Sequence, residues 1–359
     1  MKTITLLSLA LPLLFSCSSS EETTHDHSTP TPTESTYFPP LSGTTWETKS
    51  VTDLQWDPSA VQPLLDYLNL KHTKSFMVLV NGRIVIENYM NGHAADSPWY
   101  WASAGKTLTA ATTGIAEQEG FLSIDDPVNN YLGTWTSLTD AQENQIKIKH
   151  LLTMSSGIQD AGNDDCVSPE CLNFAAAPGT RWAYDNVYVK LQDAVAVATG
   201  GSWDNYFSAK LKNKIGMTGA WIQTGDLSVY WSTTRSMARF GLLMLNKGKW
   251  DSQQIINENY CTAATNPSQT INKSYGYLWW INGESNFHLP QSQLEFPGSI
   301  IPSGPTDMYM ALGKNDQKIY VVPSKNMVVI RMGDAADEET AALSDFDDVL
   351  WQKINALFN

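Results

Sequence analysis

Apolar runs near each end of the chain predict two antiparallel β-hairpins. Residues 75–90 (SFMVLVNGRIVIENYM) contain two β-rich runs around Asn81-Gly82, and Asn-Gly between such runs is the strongest short hairpin signal. Residues 318–333 (KIYVVPSKNMVVIRMG) repeat the pattern around a Pro-Ser-Lys turn. We expect the strands from both ends to meet in one antiparallel sheet.

The longer periodic segments between these hairpins follow helical spacing. Residues 106–120, 185–200 and 235–248 each end at glycine, which commonly terminates helices. Residues 346–358 predict a closing helix. The pattern therefore predicts a mixed α/β (α+β) fold, in which N- and C-terminal strands build an antiparallel sheet, helices pack on it and a large, mostly helical insertion separates its two parts.

The first twenty residues (MKTITLLSLALPLLFSCSSS) have the pattern of an export signal, with one basic residue followed by an apolar stretch. This stretch is too short to span a bilayer as a helix. It closes at Ser16-Cys17, which resembles a bacterial lipoprotein lipobox. By this resemblance residues 1–17 are a lipoprotein signal peptide and Cys17 carries the lipid. The alternative is a plain secretory signal with an incidental cysteine.

This resemblance implies an exported bacterial lipoprotein, anchored to a membrane on the periplasmic or cell-surface side. Residues 18–45, rich in Ser, Thr and Pro at their start, are predicted to be a flexible tether. The pair His25 and His27 is interpreted as solvated linker, because no further metal ligand lies close by. The folded domain is predicted to span residues 46–359.

Composition narrows the class of protein. Of 359 residues, 42% are hydrophobic and 17% charged, and the formal net charge is −14 without any Lys/Arg run, so a nucleic-acid partner is not expected.

In an oxidising compartment Cys166 and Cys171, which flank VSPE, could close a small disulfide loop. A zinc site would need more Cys or His at short spacing, and Cys261 is expected to be buried. We expect no metal and no cofactor.

Candidate chemistry lies in residues 100–110 (YWASAGKTLTA). Ser103 and Lys106 are three apart, so a helix would place them on one face. A serine hydroxyl needs a base, and a lysine can be that base only if it is desolvated or lies beside another cation. A P-loop is excluded because that motif needs glycine where Tyr100 stands, and the chain contains no Gly-x-Ser-x-Gly.

Ser103-x-x-Lys106 resembles the first motif of the penicillin-binding serine hydrolases, which include class C β-lactamases, D-alanyl-D-alanine carboxypeptidases and family VIII esterases. Their class C branch carries Tyr-x-Asn, and Tyr184-Asp185-Asn186 is the one such triplet that follows Ser103. Further segments resemble later landmarks of the family: 148–158 (IKHLLTMSSGI), 233–250 (TTRSMARFGLLMLNKGKW) and 275–280 (YGYLWW). The resemblance runs from about residue 46 to the end and implies a β-lactamase/transpeptidase-like fold.

The third family motif, Lys-Thr-Gly or His-Thr-Gly, is absent from this chain. Its best match is Ala311-Leu312-Gly313, in which the glycine lets the backbone approach substrate closely. The basic side chain is missing, unless Lys314 replaces it. In the family this base helps to hold a substrate carboxylate. Esterase-like members and hydrolases of short amide oligomers are therefore more similar to this variant than β-lactamases are.

The resemblance also implies residue roles. Ser103 attacks a carbonyl and Lys106 takes its proton. Tyr184 relays a proton to the leaving group and later activates water, for which its pKa is expected to fall well below that of a free phenol. Asn186 hydrogen-bonds Lys106 or the substrate amide, or alternatively caps the helix that follows. The backbone N–H groups of Ser103 and Lys314 bind the oxyanion.

Other residues are assigned less specific roles. Tyr100, Trp279 and Trp280 are interpreted as pocket lining or as core, and Tyr100 and Trp279 are taken as substrate-binding with residues 311–313. His150 is interpreted as structural. The predicted function is a serine hydrolase that forms an acyl-enzyme on a small ester, amide or peptide. The alternatives are a true β-lactamase or D-alanyl-D-alanine carboxypeptidase, a penicillin-binding lipoprotein without turnover, and a lipoprotein with a purely structural role.

Overall fold

Helices and strands are interspersed along the chain in this computed structural model, which describes residues 34–160, 165–337 and 343–358. The strands are β1 (Thr73–Val80), β2 (Arg83–Tyr89), β3 (Trp99–Tyr100), β4 (Ala220–Thr224), β5 (Leu227–Ser232), β6 (Lys249–Trp250), β7 (Gln253–Gln254), β8 (Trp280–Ile281), β9 (Asn286–His288), β10 (Glu295–Pro297), β11 (Tyr309–Gly313), β12 (Gln317–Val322) and β13 (Met327–Gly333). The α-helices are α1 (Val61–Leu70), α2 (Lys106–Gln118), α3 (Asn129–Leu132), α4 (Asp140–Glu143), α5 (Ile148–Leu152), α6 (Val189–Thr199), α7 (Trp203–Phe207), α8 (Thr234–Leu245), α9 (Glu258–Ala264) and α10 (Asp345–Asn355).

The central sheet joins the two predicted hairpins. Its six strands lie in the order β2-β1-β13-β12-β11-β8. Strand β1 pairs antiparallel with β13, from Thr73 opposite Gly333 to Val80 opposite Met327. Strands from the two ends of the folded chain therefore form one antiparallel sheet, and the predicted mixed α/β class is confirmed.

The turn between β1 and β2 requires its glycine. Asn81 and Gly82 have φ angles of 48° and 78°, as expected for a two-residue hairpin turn. A Cβ on Gly82 would lie 1.9 Å from the carbonyl oxygen of Tyr37, because the segment before α1 crosses the turn there. This contact leaves no room for a side chain.

Helices cover both faces of the sheet. Alternation along β12 directs Ile319 to one face and Lys318 and Tyr320 to the other. Helix α8 packs on the first face, where a Cβ on Gly241 would lie 3.2 Å from Ile319. Helix α10 packs on the second face, where its Trp351 meets Tyr320 edge-on with ring centroids 5.5 Å apart.

The insertion between β2 and β11 contains more β-strands than the sequence pattern predicts. Besides helices it contributes the three-stranded sheet β3-β5-β4, the hairpins β6-β7 and β9-β10, and the edge strand β8. Several of these strands have only two or three residues, too few for a period-2 pattern to be recognised. The hairpin β4-β5 was detectable, because its β-branched and aromatic residues flank a Gly-Asp turn.

The folded unit begins earlier than residue 46. The compact unit starts at Ser35. The Tyr37 N–H donates to the Asn81 carbonyl at 2.9 Å, and the Arg239 guanidinium donates to the Pro40 carbonyl at 2.7 Å. The later part of the predicted tether is therefore packed on the domain, where its backbone carbonyls accept hydrogen bonds from the buried Arg239.

The predicted signal peptide, Cys17 and the pair His25 and His27 lie outside the described residues and stay predictions. Within residues 34–160, 165–337 and 343–358, no helix is long and apolar enough to cross a membrane.

Candidate active site

Ser103 lies in a 3₁₀ turn, Ala102–Gly105, that leads directly into α2. The first eleven residues of α2, 106–116, are buried, whereas the Ser103 side chain is half-buried. Ala102 has a φ of 47°, which is rare for a residue with a Cβ and typical of strained functional turns. The turn therefore places the Ser103 hydroxyl at the N-terminal end of α2, a helix that is held in place by the residues packed around it.

Lys106 lies beside this hydroxyl in a nearly dry environment. It is 2% exposed, and its Nζ lies 3.0 Å from Ser103 Oγ and 3.2 Å from Asn186 Oδ1. The rings of Tyr184 and Tyr188 face the amine, with centroids 4.9 Å and 4.3 Å away. Burial lowers the pKa of Lys106 to about 7. The amine can therefore be neutral near neutral pH and accept a proton from Ser103.

Tyr184 lies on the loop before α6, near Ser103 and Trp280. Burial raises the pKa of its phenol to about 12, and the polar groups of Ser103 and Trp280 oppose that rise only in part. The expectation of a lowered pKa is wrong. Desolvation dominates, and the Lys106 amine faces the Tyr184 ring. Tyr184 is therefore a neutral phenol, suited to donate a proton and not to act as a standing base.

Asn186 contacts the lysine and does not cap a helix with its side chain. Its Oδ1 accepts the hydrogen bond from Lys106, and α6 begins only at Val189. The nearby capping-like contact comes from Asp185, whose Oδ1 accepts from the Val187 N–H at 3.0 Å. Of the two predicted alternatives for Asn186, the structure has the contact with Lys106.

Asp185 is a titratable group that the sequence interpretation passed over. Its Oδ2 is buried without a hydrogen-bond partner. Burial raises its pKa to about 7, against the lowering effects of the Val187 N–H and the Lys106 charge. The sequence signal that could have identified it is a carboxylate at the middle position of the Tyr-x-Asn triplet. Two groups near the nucleophile, Lys106 and Asp185, therefore titrate in the same range and are coupled.

The end of β11 lies beside the turn that carries Ser103. Ala311, Leu312 and Gly313 are buried, and none of them carries a polar side chain. A Cβ on Gly313 would lie 2.4 Å from the Trp101 carbonyl oxygen and 3.0 Å from the Ala104 nitrogen. The lack of a side chain at Gly313 therefore lets the strand end approach the turn that carries Ser103, and the predicted close approach of substrate to this glycine stays a prediction.

The loop after β11 carries the second predicted oxyanion donor. Lys314 is exposed, and Asn315 follows with a φ of 59°. The Asn315 Nδ2 donates to the Tyr100 hydroxyl at 2.7 Å. Tyr100 thus lies at this loop, next to the turn of Ser103, and its role in substrate binding stays a prediction.

The two tryptophans of YGYLWW have different environments. Trp279 stacks on Phe240 and meets Tyr309 edge-on, with centroids 5.9 Å and 5.3 Å away, and it is fully buried. It is a core residue, so its assignment to substrate binding is wrong. Trp280 instead contacts Tyr184, with ring centroids 5.5 Å apart.

The remaining candidates lie outside this cluster. Cys166 and Cys171 form a disulfide, and Cys261 is a buried free thiol. His150 accepts the Lys147 backbone N–H at 3.0 Å, and burial lowers its pKa to about 4, as suits a structural residue. Among the described residues, no group of three or more His, Cys, Asp or Glu side chains could hold a metal ion.

Comparison with known proteins identifies the family of this chain. The model of the family described as Beta-lactamase matches residues 72–346. An uncharacterized protein of Alkalihalophilus pseudofirmus is 25% identical over 311 residues, which cover 74% of this chain and 87% of that protein.

Solved structures show the same fold. A Bacteroides dorei protein provisionally named a β-lactamase superposes with a TM-score of 0.66 at 16% identity, covering 84% of this chain and 99% of the other. A Bacillus anthracis protein provisionally named a 6-aminohexanoate-dimer hydrolase gives 0.64 at 19% identity, covering 81% and 80%. At these identities the likeness establishes the fold alone.

Proposed function

Since this chain belongs to the β-lactamase family, we propose that it is a serine hydrolase that forms an acyl-enzyme on Ser103 and cleaves an ester or amide without a carboxylate beside the scissile bond. The observation that carries the proposal is the contact of 3.0 Å between Lys106 Nζ and Ser103 Oγ. It joins a half-exposed hydroxyl to an amine whose pKa burial lowers to about 7. This pairing meets the requirement for an activated serine.

In the proposed acylation, neutral Lys106 takes the proton of Ser103 while Oγ attacks the carbonyl carbon. The backbone N–H groups of Ser103 and Lys314 bind the resulting oxyanion. When the bond to the leaving group breaks, Tyr184 gives its proton to the leaving atom, and the Lys106 ammonium returns its proton to Tyr184. Water then attacks the acyl carbon while Lys106 accepts a proton from the water. The bond between the acyl carbon and Ser103 Oγ breaks, and the Lys106 ammonium returns the proton to Ser103 Oγ, which releases the acid and regenerates the serine.

The charges around the cluster favour neutral acyl groups. Asp185 and Asp165 act on Lys106, and Asp160 acts on Asp185. The third-motif position that would carry a base holds buried Ala311. A substrate carboxylate would therefore find no side-chain cation at position 311, which costs binding energy.

Amides are included among the proposed substrates because of one protein with a similar fold. The Bacillus anthracis protein with this fold is provisionally named a 6-aminohexanoate-dimer hydrolase, which cleaves an amide by that name. For this chain the amide remains part of the proposal, beside the ester.

The test uses the protein without residues 1–17, assayed with p-nitrophenyl butyrate and with nitrocefin, whose β-lactam carries a carboxylate. Ser103→Ala is expected to lower ester turnover by about 10⁴-fold or more with an unchanged circular dichroism spectrum. The matched control Ser97→Ala, also a half-buried serine, should retain wild-type turnover.

Ester hydrolysis by Ser103→Ala at the wild-type rate would refute the assignment of the nucleophile. Rapid, Ser103-dependent nitrocefin turnover would keep the serine hydrolase and refute the proposed substrate class.

A further inference from the structure

The side chain of Gln317 connects the turn after β11 to the end of β13. Gln317 is the first residue of β12 and is 0% exposed. Its Oε1 accepts a hydrogen bond from the Gly333 N–H at 3.1 Å, and its Nε2 donates to the Gly333 carbonyl at 2.6 Å. The same Nε2 lies 2.8 Å from the carbonyl oxygen of Asn315 and 3.4 Å from that of Lys314. One buried amide therefore holds the turn of residues 314–316 against the sheet.

This turn has a backbone conformation that must be held by its surroundings. Asn315 and Asp316 have φ angles of 59° and 58°, in the left-handed region that is uncommon for residues with a Cβ. Such a conformation persists only where neighbouring contacts impose it. The Arg331 guanidinium donates to the carbonyls of Asn315 and Asp316 at 2.9 Å and 3.0 Å. Gln317 additionally reaches the carbonyl of Lys314, so its amide acts closest to the start of the turn.

We propose that Gln317 is a positioning residue that fixes the turn so that the Lys314 backbone N–H can bind the oxyanion. The inference rests on the proposed function, in which Lys314 supplies the second oxyanion donor. When Ser103 Oγ forms its bond to the carbonyl carbon, an electron pair of the C=O double bond moves to the oxygen. A backbone N–H stabilises that oxygen only if its distance and direction are set before the reaction.

The position of the turn agrees with this role. Lys314 follows Gly313, whose backbone approaches the turn of Ser103 so closely that a Cβ would lie 2.4 Å from the Trp101 carbonyl oxygen. Peptide units are planar, so a rotation of the backbone at Lys314 moves whole N–H and C=O groups. The hydrogen bonds of Gln317 to this turn oppose such a rotation next to the nucleophile.

The chain contains a matched control, a buried amide at the other end of β11. Asn282 is 1% exposed. Its Oδ1 accepts the Ile301 N–H at 2.9 Å, and its Nδ2 donates to the Ile301 carbonyl at 3.0 Å and to the Pro305 carbonyl at 3.0 Å. The residues that Asn282 holds precede β11, whereas the turn held by Gln317 follows it. Asn282→Leu therefore removes a similar set of buried hydrogen bonds without altering the turn of residues 314–316.

The experiment compares p-nitrophenyl butyrate with p-nitrophenyl thionobutyrate, in which sulfur replaces the carbonyl oxygen, by kcat/KM. The two esters have the same leaving group, but sulfur is a weak hydrogen-bond acceptor, so a displaced N–H harms the oxygen ester more. The ratio of the two kcat/KM values does not depend on the fraction of enzyme that is folded. Gln317→Met is expected to lower this ratio, oxygen ester over thionoester, by about tenfold, since losing one oxyanion donor altogether costs about 10²- to 10³-fold in kcat. Asn282→Leu should leave the ratio at its wild-type value.

Equal losses on the two esters in Gln317→Met, or an equal fall of the ratio in Asn282→Leu, would overturn the inference. If Gln317→Met does not fold, Gln317→Glu keeps the side-chain length and an acceptor for the Gly333 N–H. It lacks the amide donor when its carboxylate is ionised, and the same fall of the ratio is then required. Ser103-dependent turnover of p-nitrophenyl butyrate is established first. Its absence would refute the proposed function itself, whereas an unchanged ratio would refute only the role of Gln317.

Discussion

Two lysines in this domain are almost completely buried, and they have opposite surroundings. Lys318 on β12 is 0% exposed, and its Nζ lies 2.8 Å from Asp347 and 3.2 Å from Asp316. Lys106 on α2 is 2% exposed, and the partners of its amine are the hydroxyl of Ser103 and the side-chain oxygen of Asn186. Among the described residues no carboxylate forms an ion pair with Lys106.

The difference shows how one residue type serves two purposes. A buried ammonium is retained when carboxylates compensate its lost hydration. Without them burial disfavours the charged form, and the amine becomes a base near neutral pH. The carboxylates that act on Lys106 through space belong to Asp185 and Asp165, and Asp185 leaves one oxygen unpaired. The carboxylates of Asp316 and Asp347 therefore compensate the charge of Lys318, and the surroundings of Lys106 fit the proposed proton transfer.

The largest expected effect is on catalysis at Lys106. Lys106→Met removes the proposed base and should lower kcat/KM for p-nitrophenyl butyrate by about 10²- to 10⁴-fold. The thermal midpoint should stay within a few degrees of wild type, because no carboxylate loses a hydrogen-bonded cation. Kinetics and a melting curve on the same preparation test both statements. If Lys106→Met unfolded but kept its turnover per folded molecule, Lys106 would stabilise the fold and would not be the base.

Lys318→Met should give the opposite pattern. It leaves Asp316 and Asp347 buried without their cation, and breaking a buried ion pair in this way costs about 3–5 kcal/mol of unfolding free energy. Turnover per folded molecule should stay near wild type. Urea unfolding measures the loss, and Lys249→Met, at an exposed position, is the control, with a change of about 0.5 kcal/mol or less. An unaltered unfolding midpoint for Lys318→Met would show that the pair does not stabilise the fold.

The framework around these lysines was predictable because it depends on local signals. Asn81-Gly82 fixes a turn whose backbone requires positive φ, and the spacing of Ser103 and Lys106 places them on one helical turn. Both signals are contained in a few neighbouring residues. The fold and the nucleophile–base contact therefore followed from the sequence.

The remaining features depend on tertiary surroundings that no short pattern encodes. Trp279 and Trp280 are identical neighbours in sequence, but successive side chains in extended backbone point to opposite sides, so one enters the core and the other meets Tyr184. The direction of the Tyr184 pKa depends on how many apolar rings surround the phenol. The partner of Gly313 is a turn some two hundred residues earlier in the chain.

A smaller effect is expected from replacing Asp185. This change tests whether the charge of its carboxylate acts through space on the pKa of Lys106. In the wild type, kcat/KM should rise with pH through an apparent pKa near 7, as Lys106 loses its proton. The Asp185 carboxylate raises the pKa of Lys106, so Asp185→Asn should lower it and move this limb to lower pH, by up to about one unit. Because Asp185 titrates in the same range, the shift reports a coupled pair.

The pH profile of kcat/KM measures this shift, with Asp193→Asn as the control at an exposed carboxylate on α6. A limb that stays in place, or moves to higher pH, would show that the Asp185 charge does not act on the base.

The smallest effect concerns the connection between the two clusters, the loop after β11. Arg331, buried near Lys318, donates to the Asn315 carbonyl at 2.9 Å, and the Asn315 side chain donates to Tyr100 at 2.7 Å. Tyr100→Phe removes one neutral hydrogen bond, worth about 0.5–1.5 kcal/mol, so kcat should fall about two- to tenfold with little change in KM or melting midpoint. Unchanged kcat would mean that the oxyanion loop is fixed without the Tyr100 hydroxyl. If only KM rose, the Tyr100 hydroxyl would bind substrate directly. The surroundings of Lys318 and those of Lys106 would then be independent of each other.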